Sequence, residues 1–191
     1  VFFESGLLMG LSHSGTELWS RSLTEEYGPM MGNHGIGGSL FQSANSLGVL
    51  VDHDGPSYLM RVDKATGENE WKTDREERVS WSTPTLSISE NQESLFISSN
   101  GVVECFDFNT GKKLWYKDGV EGNTVASPSI AGGLVIVGSS KPEQTQAIRC
   151  GNEGVKGGEV SWVAEDATCS FSSPLATERF VYLVNRAGVA T

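Results

Sequence analysis

The sequence predicts an all-β fold, on the basis of three observations: short segments rich in β-branched and aromatic residues, abundant glycine, and a motif that recurs along the chain. The chain has 191 residues, of which 38% are apolar, so it can form a packed core. Glycine occurs 23 times. No stretch longer than about 12 residues keeps an apolar period of 3.6, which disfavours helices.

The recurring motif ends in tryptophan. Thr66 to Trp71 and Thr110 to Trp115 share the pattern Thr-Gly-x-x-x-Trp, and looser copies run from Ser14 to Trp19 and from Gly157 to Trp162. The four tryptophans are separated by 52, 44 and 47 residues. This spacing is typical of β-propeller blades, which contain four strands in about 40 to 50 residues.

A second mark runs in phase with the first. Three Ser/Thr-Pro dipeptides precede alternating apolar segments: Thr83-Pro84, Ser127-Pro128 and Ser173-Pro174. Their prolines lie 13, 13 and 12 residues after the preceding motif tryptophan. Proline is tolerated at the first position of a strand, so each dipeptide is predicted to begin the innermost strand of a blade. A β-sandwich needs no such regular repetition, so we predict a propeller of four-stranded antiparallel blades.

The motif residues are predicted to be structural. Gly67 and Gly111 lie where antiparallel strands reverse tightly, and glycine accepts the positive φ that such a turn requires. A tryptophan on an outermost strand can bury about 200 Å² against the next blade. The predicted blade-docking residues are therefore these two glycines together with Trp19, Trp71, Trp115 and Trp162.

The repeat predicts where each blade begins and ends. Full blades are expected at about 39–75, 81–118 and 125–166, the end of a blade at 1–23 and the start of another at 171–191. The chain would then form a partial ring of about four to five blades. We expect it to be a fragment of a longer protein. In the alternative, two or more chains complete each other's sheets, because open strand edges favour association.

Asp63 and Asp107 precede the two clearest Thr-Gly copies. On the basis of these aspartates and the Thr-Gly-x-x-x-Trp motif, the chain resembles pyrroloquinoline-quinone-type (PQQ-like) propeller repeats over nearly its whole length. The resemblance implies the fold but does not select an activity. Such repeats occur in quinone-dependent dehydrogenases, in scaffold lipoproteins that assist outer-membrane protein assembly, and in extracellular domains of signalling proteins. The dehydrogenases hold quinone and calcium with a catalytic Asp, often a Cys-Cys pair and a stacking Trp.

Little in this sequence matches that catalytic set. It has no Cys-Cys pair, and both aspartates occupy the turn position of the repeat, so we predict no catalytic and no metal-binding residue. Trp81 precedes Ser82-Thr83-Pro84 near the inner start of a blade. It is the one candidate for stacking on a cofactor ring, with packing as the plainer interpretation.

One inserted segment is a candidate interaction loop. Residues 27–38 lengthen the gap between Trp19 and the next inner strand, and inserted propeller loops often carry the binding surface. Asn33 and His34 are the candidate contact residues there. The acidic segment 52–55 superficially resembles a calcium loop but has no Glu at the twelfth position, so a hairpin turn is predicted.

The formal charge of −10 opposes binding to nucleic acid. No apolar run reaches the roughly 20 residues that a transmembrane helix needs. The three cysteines are predicted to be buried, with a Cys150–Cys169 disulfide as the alternative.

The function predicted is that of a non-catalytic propeller module and protein-interaction scaffold in an exported bacterial protein. It would act in the periplasm or another extracytoplasmic space, on a protein or surface polymer, without a cofactor. Self-association through open blade edges is a further predicted interaction. The first alternative is part of a PQQ- and calcium-dependent dehydrogenase, and the second is a sensor domain fused to a signalling protein such as a kinase.

Overall fold

The structure is a computed structural model, and it describes residues 1–32, 34–89, 92–150 and 158–191. Nearly all of its regular structure is β-strand, arranged as three four-stranded and two two-stranded antiparallel sheets. The chain forms two compact units, Val1–Ser80 and Trp81–Thr191. The predicted all-β fold with four-stranded antiparallel sheets is therefore confirmed.

The first unit contains a two-stranded sheet, one short helix and a four-stranded sheet. The two-stranded sheet pairs β1 (Leu7–Leu11) with β2 (Glu17–Ser22). Helix α1 (Leu23–Tyr27) follows, capped by the Ser22 hydroxyl, which accepts a hydrogen bond from the Glu25 N–H. The four-stranded sheet has the order β3 (Phe41–Gln42), β4 (Ser46–Val51), β5 (Ser57–Asp63) and β6 (Asn69–Arg75).

The second unit contains two four-stranded sheets and a two-stranded one, and each sheet keeps its strands in chain order. The first consists of β7 (Thr85–Ser89), β8 (Gln92–Ser99), β9 (Gly101–Asp107) and β10 (Lys113–Val120). The second consists of β11 (Ser129–Ala131), β12 (Leu134–Val137), β13 (Gln146–Arg149) and β14 (Val160–Val163). The two-stranded sheet pairs β15 (Leu175–Ala176) with β16 (Val181–Tyr182).

A β-bulge precedes every motif tryptophan. Trp19 pairs with Gly10 and Glu17 pairs with Leu11, so Leu18 has no partner of its own across the strand. The same one-residue shift occurs before the other three, at Glu70, Leu114 and Ser161. A bulge increases local twist and changes the direction of neighbouring side chains. The four outer strands therefore share one local geometry at their tryptophans.

Each unit has its own apolar core. In the first, buried side chains from both sheets and from α1 pack together: Leu8, Leu23, Val49, Val51, Tyr58, Met60 and Val62. In the second, the largest cluster joins the two four-stranded sheets: Phe96, Val103, Cys105, Trp115, Val120, Val135, Val137 and Ile148. Neighbouring sheets within a unit are thus held together by apolar burial between their faces.

Candidate functional site

In the first unit, the outer strand of one sheet docks on the outer turn of the next through Trp19 and Gly67. The Trp19 indole covers Gly67 so closely that a Cβ there would lie 2.5 Å from a ring carbon. The indole nitrogen donates a 2.9 Å hydrogen bond to the Lys64 carbonyl. Gly67 has a φ of +75°. Glycine therefore serves both the turn and the close approach of the ring.

Arg21 strengthens the same junction from β2. Its guanidinium donates to the Gly67 carbonyl at 2.6 Å and to Asn69 Oδ1 at 2.7 Å. Glu26 on α1 pairs with the other side of the guanidinium. This hydrogen bond to Arg21 lowers the pKa of the Glu26 carboxyl. The short helix thus orients the arginine that links β2 to the next sheet.

The second unit contains an equivalent contact. Trp115 on β10 is 3% exposed and packs against Val135, Val137 and Ile148 of the next sheet. A Cβ at Gly158, four residues before Trp162, would lie 3.5 Å from the Trp115 ring. The indole nitrogen of Trp115 is buried and has no hydrogen-bond acceptor within the described part of the chain. Among the described residues, this junction lacks an indole hydrogen bond like the one that Trp19 donates to the Lys64 carbonyl.

The remaining predicted docking residues lie on the strands and turns where the repeat places them. Trp71 is half-buried on β6, and Gly111 has a φ of +72° in the turn before β10. Trp162 is half-buried on β14 and lines a groove beside β15 and β16. Their docking role remains a prediction.

The Ser/Thr-Pro dipeptides connect the inner strands of the second unit by hydrogen bonds. The Thr83 N–H donates to Ser127 Oγ at 2.8 Å, and the Ser127 N–H donates to Ser173 Oγ at 3.0 Å. The Thr85 hydroxyl also donates to the Pro128 carbonyl at 2.6 Å. The Ser127 and Ser173 hydroxyls thus each accept a hydrogen bond from the backbone N–H of the corresponding residue one repeat earlier. The sequence marks these positions, but it does not reveal this use of the hydroxyl.

The repeat aspartates stabilise turns. Asp63 Oδ1 accepts hydrogen bonds from the N–H groups of Ala65 and Thr66, each at 2.8 Å. These hydrogen bonds lower the pKa of the Asp63 carboxyl, and the bond from the Thr66 N–H has the largest effect. Asp107 Oδ1 accepts from the N–H of Asn109 at 2.8 Å and from that of Thr110 at 3.2 Å. One carboxylate oxygen of each is therefore occupied in the turn before the motif glycine.

Within ranges 1–32, 34–89, 92–150 and 158–191, no three His, Cys, Asp or Glu side chains are close enough to share a cation. Trp81 is half-buried, and its backbone N–H donates to the Thr124 carbonyl at 2.9 Å. A stacking role for Trp81 stays a prediction.

The inserted loop is anchored to the turn between β4 and β5. The Met31 N–H donates to His53 Nδ1 at 2.9 Å, and Met30 and Ile36 pack against the core of the first unit. His34 is exposed on this loop, whereas Asn33 lies outside the described residues. The loop is therefore fastened at several points and presents His34 outward.

A cavity of about 410 Å³ lies beside this loop, and the sequence alone does not reveal it. Tyr27 ends α1 and meets Tyr58 edge-to-face, with ring centroids 5.2 Å apart. The Lys72 ammonium lies 5.0 Å from both ring centroids. Asp74 and Glu77 add exposed carboxylates to the cavity lining. Aromatic rings, a cation and acids together suit contacts with polar protein side chains.

A buried ion pair supports the floor of this cavity. Arg75 Nε donates to Asp52 Oδ1 at 3.0 Å, and both side chains are at most 2% exposed. Neighbouring His53 is buried, with Nε2 3.0 Å from the Pro56 carbonyl oxygen. Segment 52–55 therefore belongs to the turn between β4 and β5, as predicted, and its first carboxylate neutralises an arginine.

The three cysteines are free thiols, so the alternative of a Cys150–Cys169 disulfide is not realised. Cys105 and Cys169 are buried, and Cys150 is half-buried against the same cluster as Cys105. Burial raises the pKa of the Cys105 thiol to about 12, and the second-largest cause of this rise is charge repulsion from Cys150. Burial also raises the pKa of Cys169. Such thiols are unreactive packing groups.

Comparison with known families and structures locates the chain among PQQ-like repeats. The PQQ_2 family model, described as outer membrane protein assembly factor BamB, matches residues 4–163. No curated protein sequence matches the chain significantly. The described part of the chain contains no helix long and apolar enough to cross a membrane.

Two solved structures share the fold over 97% of the chain. BamB from Moraxella catarrhalis superposes with a TM-score of 0.64 at 14% identity, and the chain covers 51% of it. Quinohemoprotein alcohol dehydrogenase from Comamonas testosteroni superposes with a TM-score of 0.62 at 13% identity, and the chain covers 35% of it. The chain thus spans about half of one relative and a third of the other. The predicted β-propeller blades are confirmed.

Proposed function

Because the chain belongs to the PQQ_2 family of BamB-like repeat proteins, we propose that it is a non-catalytic β-propeller module that binds protein partners as a scaffold. The observation that carries the proposal is the family match over residues 4–163. The anchored loop and the adjacent cavity supply the binding surface. His34, Tyr27, Lys72 and Glu77 are its central residues.

The cavity is suited to recognition because its geometry is held in place before a partner arrives. The Tyr27 hydroxyl accepts hydrogen bonds from Asn69 Nδ2 at 2.8 Å and from the Arg21 guanidinium at 3.1 Å. Tyr58 is 3% exposed, so one ring wall is fixed by the core. A preorganised aromatic surface loses little side-chain entropy on binding.

The use of charged groups by the fold supports a non-catalytic role. The repeat aspartates bond to turn N–H groups, and Asp52 pairs with buried Arg75. A general acid or base needs a titratable group directed at a substrate. These carboxylates are directed at the protein itself.

The family description names an assembly factor of the outer membrane. The description supports our proposal that the protein acts in the periplasm or another extracytoplasmic space, with a protein or surface polymer as partner.

A second function, part of a PQQ- and calcium-dependent dehydrogenase, is favoured by the quinohemoprotein alcohol dehydrogenase similarity. In that case the cofactor ligands would come from protein segments beyond these 191 residues.

The scaffold proposal is tested by photo-cross-linking in the producing cells. A photoreactive amino acid replaces His34 or Glu77, and a matched control replaces the exposed Asp118 on β10. We expect a discrete protein adduct from the first two positions, lost when Tyr27→Ala is added, and none from the control. Adducts of equal yield at all three positions, or at none, would contradict a binding surface at the loop.

The dehydrogenase alternative needs its own measurement. The purified protein is titrated with pyrroloquinoline quinone and calcium while quinone absorbance is followed, and dye reduction is then assayed with alcohols and sugars. We expect no saturable binding at quinone concentrations up to about 50 μM, which means a dissociation constant above that concentration. Saturation accompanied by dye reduction would replace the scaffold proposal.

A further inference from the structure

His53 lies where the turn between β4 and β5 meets the inserted loop 27–38, and both of its ring nitrogens are engaged. The Met31 N–H donates to His53 Nδ1 at 2.9 Å, and Nε2 lies 3.0 Å from the Pro56 carbonyl oxygen. A backbone N–H can only donate, so Nδ1 carries no proton and Nε2 donates its own to Pro56. This anchor of the loop therefore requires the neutral form of the imidazole.

The ring is enclosed between the turn and the loop. His53 is 3% exposed. A Cβ on Gly55 would lie 2.7 Å from His53 Cε1 and 3.3 Å from Met31 Sδ, so the ring and the Met31 side chain both pack over this bare backbone. A ring that gains a second N–H in this position faces another donor rather than water.

The turn is held more firmly than the loop. The Ser57 hydroxyl accepts a hydrogen bond from the His53 N–H at 3.3 Å and donates one to the His53 carbonyl at 3.2 Å. The buried ion pair at the start of the turn fixes it further. On the other side of the contact, Met31 is 51% exposed and precedes Gly32, which has a φ of +115°. Loss of the contact is therefore expected to move the loop and leave the turn in place.

We propose that His53 is a pH-sensitive latch, and that protonation of its Nδ1 breaks the bond to the Met31 N–H and releases this part of the loop. Both nitrogens of a protonated imidazole are donors, so the new Nδ1–H points at the Met31 N–H and the contact becomes repulsive. The contact therefore stabilises the anchored loop at neutral and higher pH and is lost on acidification. Histidine is the side chain that ordinarily changes charge between about pH 5 and 8.

Charged groups around His53 act in both directions. Asp52 and Asp54 belong to the same turn, and negative charge favours a protonated imidazole. Asp52 is already paired with Arg75 of β6, whose positive charge opposes protonation. Asp54 is exposed to water, as is His34 further along the loop. Ordinary carboxylates stay ionised above about pH 5, so an imidazole is the group whose charge changes in this range.

The consequence for binding rests on the proposed function, because the loop is part of the proposed binding surface. Pro56, which accepts the hydrogen bond from His53 Nε2, also lines the cavity beside the loop, together with Tyr27 and Tyr58. Release of the loop at Met31 changes one edge of this surface. Partner binding is therefore expected to weaken on acidification, as in other switches that depend on histidine protonation.

The latch is tested by NMR on the purified chain, without a partner, between about pH 8 and 5. Nitrogen chemical shifts of the His53 ring report its tautomer and charge, and hydrogen exchange at the Met31 amide reports the anchor. We expect the Nε2–H tautomer at the upper end. Met31 protection, corrected for intrinsic exchange, should fall at least about tenfold as the ring protonates. A ring that stays neutral throughout, or protection that survives its protonation, would overturn the proposal.

Two variants separate the latch from a general effect of acid. His53→Asn places an amide oxygen near the position of Nδ1, so the Met31 N–H keeps an acceptor that does not titrate. Its Met31 protection should be independent of pH. His34→Asn is the matched control, which removes the exposed histidine of the loop and should respond to pH as the wild type does. A His53→Asn chain that loses protection in acid as the wild type does would contradict the latch.

The effect on binding is measured separately, by the yield of the photo-cross-link from the Glu77 position. We expect this yield to fall between about pH 7.5 and 5.5 in the wild type and to stay constant in His53→Asn. Equal wild-type yields at the two pH values would overturn the regulation of binding. If the purified chain shows the latch but no adduct forms at any pH, the latch stands and only the scaffold proposal is contradicted.

Discussion

The outer and inner ends of neighbouring sheets are joined by different chemistry. At the outer end, an indole ring lies on a bare glycine, as Trp19 does on Gly67. At the inner end, hydroxyl groups accept backbone hydrogen bonds from the preceding repeat, as Ser127 does from Thr83. The outer contact buries a large apolar surface, whereas the inner one fixes a direction and a distance. In each repeat, the outer contact therefore stabilises the packing of neighbouring sheets, and the inner contact sets their relative position.

The largest expected effect on stability comes from removing the tryptophan of an outer contact. Trp115→Ala should lower the free energy of unfolding by about 3–5 kcal/mol, because it leaves a cavity in the core of the second unit. Trp162→Ala removes a half-buried ring that lines a groove and should cost less than about 1 kcal/mol. Denaturant unfolding of both variants measures the difference. Equal losses would show that indole burial is not what stabilises the outer contact.

The next effect concerns the glycine under the indole. Gly67→Ala and Gly101→Ala both place a side chain at positive φ, which should cost about 1–2 kcal/mol each. Only the Gly67 Cβ meets the Trp19 ring. Gly67→Ala should therefore lower the free energy of unfolding by about 1–3 kcal/mol more than Gly101→Ala does, because overpacking destabilises a well-packed site. Thermal unfolding of the two proteins is the measurement, and equal melting temperatures would contradict the docking role.

The inner contact is tested by Ser127→Ala. The substitution leaves the Thr83 N–H without its acceptor, which should cost about 1–3 kcal/mol. Ser14→Ala removes an exposed hydroxyl in an outer turn and should change stability by less than about 0.5 kcal/mol. Hydrogen exchange at Thr83 gives a local readout. Unchanged protection there would show that the hydroxyl does not hold the inner strand.

The smallest effect is on pH dependence at the Arg21 clamp. The pKa of Glu26 is lowered in the folded protein by its bond to Arg21. Its contribution is therefore present above the unfolded pKa near 4.5 and lost as pH falls through the lower folded value. Glu26→Gln should melt below wild type at pH 6, and this gap should narrow at pH 3. Glu25→Gln is the exposed control, and a gap that widens on acidification would contradict the clamp.

Much of the architecture could be predicted from the sequence because it depends on local signals. The tryptophans, the Thr-Gly turns and the Ser/Thr-Pro dipeptides recur in phase, and each acts within a few residues of its own strand. The positive φ of Gly67 follows directly from such a signal. Repetition also separates the strand pattern from chance alternation of apolar residues.

The cavity and the buried ion pair could not be predicted in this way. Tyr27, Tyr58 and Lys72 belong to a helix and two different strands, and they meet only after the sheet forms. Asp52 and Arg75 read as ordinary loop and surface charges until pairing buries both. Sites made from one occurrence of each residue leave no period in the sequence.

The bulge before each motif tryptophan has a consequence for solubility. The strands that carry it, β2, β6, β10 and β14, are the outer edges of their sheets. A regular edge would offer a continuous row of N–H and C=O groups to any extended peptide nearby. An extra residue interrupts that row and twists the strand, so a foreign strand cannot pair along its length. The irregularity that positions the indole thereby also protects the rim from amyloid-like addition.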